Sequence, residues 1–438
     1  MQKTITAKNS IKKEHLKRYE LDSSAKFYPV IASKKSQSLF CVGAVLADDI
    51  EPQILKKALN EVIRRYPILA VTIERGYGWH YLQENRAEVP VFPAEERILR
   101  PIDTKLTNGY MFRVSYIANR IRIDMFHGLC DGTACVHFLE SLVLRYQQLR
   151  GVITQDIENI LQVKDDPTDA EIEDSYLKYY KPMSLFNMDI KTLKGGTPLR
   201  LTGEPIGETG YFNIEGTASL NEIKERAKEK GVTVTAYISG ILAMTIEEIS
   251  KEKRPIVMMI PVNLRKIFPS QTLRNFVTFV RIEIKPGKFK TLDEYCNECA
   301  IQLKEKTTKE NLHHFICTTV RVQNNGILAC IPLAIKSFFI NTGRAALKSR
   351  QTIIYSNVGL MKMPEKLGIK KFTINMNVSR FNPQNMGSIT VGDKISFNFT
   401  RAIKGNILPD TFFRNLEQLG IHVEKEYEGI NDEKIDIK

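Results

Sequence analysis

The chain holds a single tryptophan, Trp79, and only seven cysteines among 438 residues. The odd, scattered cysteine count excludes a disulfide-stapled secreted scaffold and points to free thiols in a reducing cytoplasm. No uninterrupted apolar run reaches the ~18–20 residues that a membrane-spanning helix needs. The opening MQKTITAKNSIKKEHLKRYE carries lysines but no apolar segment and no small-residue cleavage pattern, so it does not read as a secretory signal. Also missing are a Gly-x-Ser-x-Gly elbow, a phosphate loop ending in Gly-Lys-Ser/Thr, and a Gly-x-Gly-x-x-Gly turn after a strand. These absences disfavour elbow-type serine hydrolysis, nucleotide hydrolysis and nicotinamide chemistry. No repeat of solenoid period is present.

What remains is an ordinary globular composition, 43% apolar and 26% charged, long enough for two domains. The formal net charge is +13, from 63 basic and 50 acidic side chains, which favours anionic partners. Without a zinc-finger array, an RNA-binding aromatic motif or a basic helix with heptads, nucleic acid is not the expected one. Denser basic groups at Lys12, Lys13, Lys17 and Arg18, and at Lys362, Lys366, Lys370 and Lys371, read as solvated surface, with contact to phosphates the alternative for some.

Periodicity organises the chain as mixed α/β. An apolar run at 39–47 is of strand length. A helix follows from about Pro52 to Tyr66, closed by Pro67. Strands are expected near 68–74, 79–83 and 110–126, then a helix over Ala134–Tyr146 that Gly151 ends. Breakers crowd 152–210, which reads as a crossover with one short helix near 169–179. Beyond it come a capping box at Ser219–Glu222, a helix ended by Gly231, another over Thr235–Ser250, and strands at 255–262 and 276–284. Strands at 371–377 and 387–400, the latter folding at Gly392-Asp393, precede a terminal helix near 408–419. The resulting division is 1–165, a linker at 166–210, and 211–438.

The richest chemistry sits at His127-Gly128-Leu129-Cys130-Asp131-Gly132, between the strand over 121–126 and the helix from Ala134. An imidazole there stands on a rigid element, and its ordinary pKa of about 6.5 suits it to take and return a proton. Asp131 precedes a helix, where aspartate caps free N–H groups. Gly128 and Gly132 suit a tight turn with positive φ. Cys296-x2-Cys299, with His313 and Cys317, has a zinc-like spacing, but the cysteines lie on the apolar stripe of a helix over 291–306 and read as small hydrophobes, so no metal is expected. Two later segments join strand ends to polar residues: Pro261-Val262-Asn263-Leu264-Arg265 with Asn275, and Ser356-Asn357-Val358-Gly359.

With Arg65-Tyr66-Pro67-Ile68-Leu69 in front, these motifs resemble, in order and over about 20–425, the chloramphenicol-acetyltransferase-like superfamily of coenzyme-A-dependent acyltransferases. That superfamily includes alcohol acetyltransferases, plant acyltransferases and peptide-synthetase condensation domains. The bacterial alcohol-acetyltransferase-like branch is the nearest likeness, since Phe126 stands where condensation domains double the histidine and the plant Asp-Phe-Gly-Trp-Gly motif is missing. The resemblance implies two similar α/β halves forming a pseudo-dimer around a substrate tunnel. It implies His127 as general base without an acyl-enzyme, Asp131 holding the loop with Arg265 as partner, and Gly132 letting the backbone turn. Arg265 and Asn275 support the site, and Ser356 and Asn357 are its oxyanion candidates. No permanently bound cofactor is implied; acyl-CoA is the co-substrate and a small alcohol or amine the acceptor. The alternatives are a condensation-type enzyme fed by an acyl carrier protein and a non-catalytic binding member of the fold.

Overall fold

Short apolar runs become strands where both faces are covered, and amphipathic stretches become the helices that cover them. The computed structural model describes residues 16–33, 37–182, 197–207, 210–323, 325–326, 330–346, 350–379 and 382–428. The first half supplies β1 (Arg18–Glu20), β2 (Leu39–Leu46), β3 (Val71–Arg75), β4 (His80–Glu84), β5 (Val91–Pro93), β6 (Phe112–Ile117) and β7 (Arg120–Phe126). The second supplies β8 (Phe212–Ser219), β9 (Ile256–Asn263), β10 (Val277–Ile284), β11 (Ile353–Met361), β12 (Ile369–Asn375), β13 (Gln384–Val391), β14 (Lys394–Arg401) and β15 (Glu424–Glu428). The helices are α1 (Tyr28–Ile31), α2 (Pro52–Val62), α3 (Gly132–Leu149), α4 (Asp169–Ile172), α5 (Ser175–Tyr179), α6 (Leu220–Glu229), α7 (Val234–Ile249), α8 (Leu292–Lys306), α9 (Lys309–Gln323), α10 (Leu333–Ala346) and α11 (Ile407–Gln418). Among the described residues no single helix is long and apolar enough to cross a membrane.

The described strands form a small sheet β1-β4-β3, a five-stranded sheet β12-β2-β7-β6-β5 and a seven-stranded sheet β10-β9-β11-β13-β14-β8-β15. One apolar core joins the five-stranded sheet to α2 and α3 through Val42, Leu59, Ile123, Phe138 and Leu142. A second joins the large sheet to α7, α8 and α11 through Ile214, Ile241, Met258, Phe397 and Phe412.

The halves are interlocked. β12 comes from the second half of the sequence, yet it pairs antiparallel with β2, Phe372 opposite Ala44 and Ile374 opposite Val42. It also lies directly over β13: a Cβ at Gly387 would stand 2.3 Å from the Ile374 carbonyl oxygen, so only glycine admits the approach. Lys371, grouped by sequence with the surface lysines, is buried on β12 and meets Glu215 at 3.0 Å and Glu426 at 2.6 Å. Arg120 on β7 donates to the same Glu215 carboxylate. Burial raises the proton affinity of Glu215, but Arg120 and Lys371 outweigh it and hold the carboxyl below its ordinary range.

Several elements depart from the periodicity. The helix expected to reach Tyr66 ends at Val62 and tightens into a 3₁₀ turn; Tyr66 leaves it at φ −118° and ψ 73°, because Pro67 excludes the helical region. The single linker helix near 169–179 is two, α4 and α5, each with its own cap. β8 was not foreseen: Phe212, Ile214, Gly216 and Ala218 alternate with Asn213, Glu215, Thr217 and Ser219, and that polar face is buried rather than solvated. Cys296 does act as a small hydrophobe: a Cβ at Gly240 on α7 would meet its sulfur at 2.5 Å, and burial pushes its thiol up to about 12.

Candidate active site

β7 ends at Phe126, and the chain then turns once before α3. His127 donates its backbone N–H to Ser38 O at 2.8 Å, and Leu129 donates to Phe126 O at 3.0 Å. Neither Gly128 nor Gly132 has a positive φ, contrary to the expectation for the turn. At Gly128 the requirement is space. A Cβ at Gly128 would stand 2.3 Å from the Phe126 ring, and one at Gly132 would stand 3.3 Å from Ile374 Cδ1 on β12.

Asp131 caps α3, its Oδ1 accepting from the Ala134 N–H at 3.0 Å. Its Oδ2 accepts from Arg265 Nη1 at 2.7 Å and from the Phe276 N–H at 2.8 Å. Arg265 donates onward to Thr272 O at 3.0 Å and Arg274 O at 2.6 Å, so one guanidinium folds the 263–276 turn around the Asp131 carboxylate. Asn263 Nδ2 adds a bond to Thr133 Oγ1 at 3.2 Å. The α4 segment braces this turn from outside. Arg65 donates to both Glu171 oxygens on α4, at 2.7 and 2.8 Å. Glu171 O accepts from the Leu273 N–H at 2.8 Å, and Glu173 O from Thr272 Oγ1 at 2.7 Å.

The half-buried His127 imidazole lies in an aromatic clamp. Tyr28 on α1 stacks on it at 4.9 Å and 11°, and Phe40 on β2 meets it edge-on at 4.9 Å. Its Nδ1 is 3.0 Å from Asn275 Oδ1. Burial lowers the histidine's pKa; its own backbone carbonyl, the Asp131 charge and Asn275 oppose this without cancelling it. Burial thus favours the neutral ring, the form able to accept a proton.

The structure thus brings His127, Asp131, Gly132, Arg265 and Asn275 into one contiguous cluster. Ser356 and Asn357 are on β11, where the ladder with β13 slips between Asn357 and Leu360. This segment abuts the start of α3, with Val358 Cγ2 4.0 Å from the Cβ position of Gly132. Asn357 is already engaged: Nδ2 donates to Thr235 Oγ1 at 3.1 Å and Oδ1 accepts from the Gly359 N–H at 3.0 Å. Sequence reading missed Tyr28, Phe40 and Asp22. The only local signal was the Asp22-Ser23-Ser24 cluster, a turn former.

Likeness to solved structures shows the fold to be chloramphenicol-acetyltransferase-like. Polyketide synthase associated protein 5 from Mycobacterium tuberculosis matches with TM-score 0.60 and 13% identity over 92% of this chain and 96% of its own. The trichothecene 15-O-acetyltransferase TRI3 from Fusarium sporotrichioides matches with TM-score 0.59 and 10% identity over 92% and 94%. TRI101 from F. sporotrichioides, complexed with coenzyme A and T-2, matches with TM-score 0.56 and 11% identity over 94% and 100%. No protein-family model matches the sequence. No curated protein matches it either.

Proposed function

We propose that this chain is an acyltransferase that moves an acyl group from acyl-CoA to a small alcohol or amine. The observation that carries the reading is the clamped imidazole of His127, stacked on Tyr28 and engaged at Nδ1 by Asn275, with burial lowering its pKa. Nε2 is then the nitrogen left to act. It takes the proton of the acceptor hydroxyl or amine as that oxygen or nitrogen bonds to the thioester carbonyl carbon. Collapse of the tetrahedral intermediate breaks the C–S bond, and the departing thiolate takes the proton back from the imidazolium. No acyl-enzyme forms. Of the two oxyanion candidates, Asn357 has its amide committed elsewhere, which leaves the Ser356 hydroxyl. Asp131, fully occupied by Ala134, Phe276 and Arg265, has a structural part only. Coenzyme A in the TRI101 complex fits this donor.

The test is thiol release from acetyl-CoA and longer acyl-CoAs with a panel of alcohols and amines. Release that depends on acceptor is expected. Transfer from an acyl carrier protein but from no CoA ester would replace the donor, and no transfer from either would leave a binding protein. The pH profile adds a second expectation. Protonated His127 cannot accept, so kcat/KM falls as pH falls through its pKa. Because burial lowers that pKa, the acid limb has its midpoint below 6.5. A midpoint above that value contradicts the assignment.

A further inference from the structure

The two ends of the Asn275 amide have opposite abilities: Oδ1 only accepts and Nδ2 only donates. Oδ1 faces His127 Nδ1 at 3.0 Å. Nδ2 faces Asp22 Oδ2 at 3.1 Å, and the Asn275 backbone N–H reaches that same oxygen at 3.4 Å. The Asp22 carboxylate cannot rotate away. Its Oδ1 accepts from the Ser24 N–H at 3.0 Å, the Ser24 hydroxyl at 2.8 Å and the Ala25 N–H at 2.9 Å. Asp22 and Asn275 are 2% and 1% exposed, so water does not compete for these bonds.

We infer that Asp22 is a positioning residue for His127: by accepting from Asn275 Nδ2, it turns Asn275 Oδ1 toward the imidazole and fixes the proton on Nδ1, leaving the Nε2 lone pair free. The inference rests on His127 being the base, but reaches a residue more than a hundred positions away in sequence that touches no reacting atom. Capping the turn before Ala25 uses Oδ1 alone, whereas orienting the amide uses Oδ2. The two roles are therefore separable. The competing source of the same tautomer is His127's own backbone carbonyl, which also engages the ring.

Asp22→Asn separates them. The substituted side chain keeps an oxygen for Ser24 and Ala25 but offers an NH₂ where Oδ2 stood. The Asn275 amide then has to turn over, presenting Nδ2 to His127 Nδ1, which must become an acceptor. Imidazole ¹⁵N NMR, with the signal assigned by its loss in His127→Ala, is expected to show the Nδ1–H tautomer in the wild type and the Nε2–H tautomer in Asp22→Asn. Adding Asn275→Asp to that variant restores an acceptor-only group at Nδ1 without changing the charge of the wild-type pair, and the Nδ1–H tautomer returns. In turnover, Asp22→Asn lowers kcat by at least about 10²-fold with KM little changed, and the double variant recovers it. Where Asp22→Asn does not fold, Asn275→Ser, lacking both ends of the amide, must show mixed tautomers. A pure Nδ1–H state in either folded variant overturns the proposal, because the backbone carbonyl then suffices. The NMR result is read without turnover, so failure of acyl transfer and failure of the Asp22 role are distinguishable.

Discussion

Replacing His127 with alanine is expected to slow acyl transfer by about 10²–10⁴-fold, the range of general acid–base catalysis by a positioned side chain. At 1.36 kcal/mol per decade this is about 2.7–5.4 kcal/mol of barrier. The loss falls on chemistry because the fold loses little: the ring is half-buried, and it is held by a stack on Tyr28, an edge contact with Phe40 and one bond to Asn275. Its removal belongs with ordinary substitutions of about 1 kcal/mol in stability. His127→Gln sharpens the comparison. It can still reach Asn275 but has no group that takes a proton near neutrality, so it should be as slow as alanine. The measurement is kcat/KM by thiol release, paired with the urea midpoint of each variant. A wild-type rate in a folded His127→Ala protein removes the general base and with it the proposed mechanism.

What was legible in the sequence follows the range of the interactions. The hexapeptide stood out because strand, turn and helix cap are all local, and the Asp131 cap depends on an N–H only three residues away. The polar 261–265 segment stood out for the same reason. Asp22 and Tyr28 did not, because what gives them meaning is contact with Asn275 and His127, separated from them by 253 residues in one case and by the whole of β2 to β7 in the other. β8 was hidden by its own chemistry. Its inward face carries Asn213 and Glu215 to meet Asn375, Arg120 and Lys371, and a charged interior cannot be told from a charged surface by alternation. Lys371 was misplaced for the converse reason, being one member of a basic run whose neighbour Phe372 alone points to a core. The glycines of the turn show a further limit. Sequence marks them as special but does not say whether torsion or space is the cause, and at Gly128 it is space.

The second large effect concerns stability and follows from the asymmetry of a buried ion pair. Arg265 and Asp131 have side chains only 13% and 4% exposed. Arg265→Met removes the guanidinium and keeps much of its volume, leaving Asp131 with its charge and two backbone N–H donors but no cation. Breaking a buried pair from one side costs about 3–5 kcal/mol. The Thr272 and Arg274 carbonyls lose their donor as well. Asp131→Asn also breaks the pair, but the amide oxygen can still cap Ala134, and Arg265 keeps both carbonyl acceptors. With that oxygen on Ala134 the NH₂ stands where Oδ2 was, so the bonds from Arg265 and from the Phe276 N–H are both lost; at about 1.5–3 kcal/mol for the charge-assisted bond alone, the urea midpoints of both variants should fall well below wild type. Activity should follow a different path. The turn that Arg265 holds also carries Asn275, so Arg265→Met is expected to lower kcat below wild type even in the residual folded fraction, whereas the acid limb stays below pH 6.5 because His127 remains buried. If Asp131→Asn were instead folded like wild type and inactive, Asp131 would have to act on the proton itself, and the division between a histidine that moves it and an aspartate that holds the loop would be wrong.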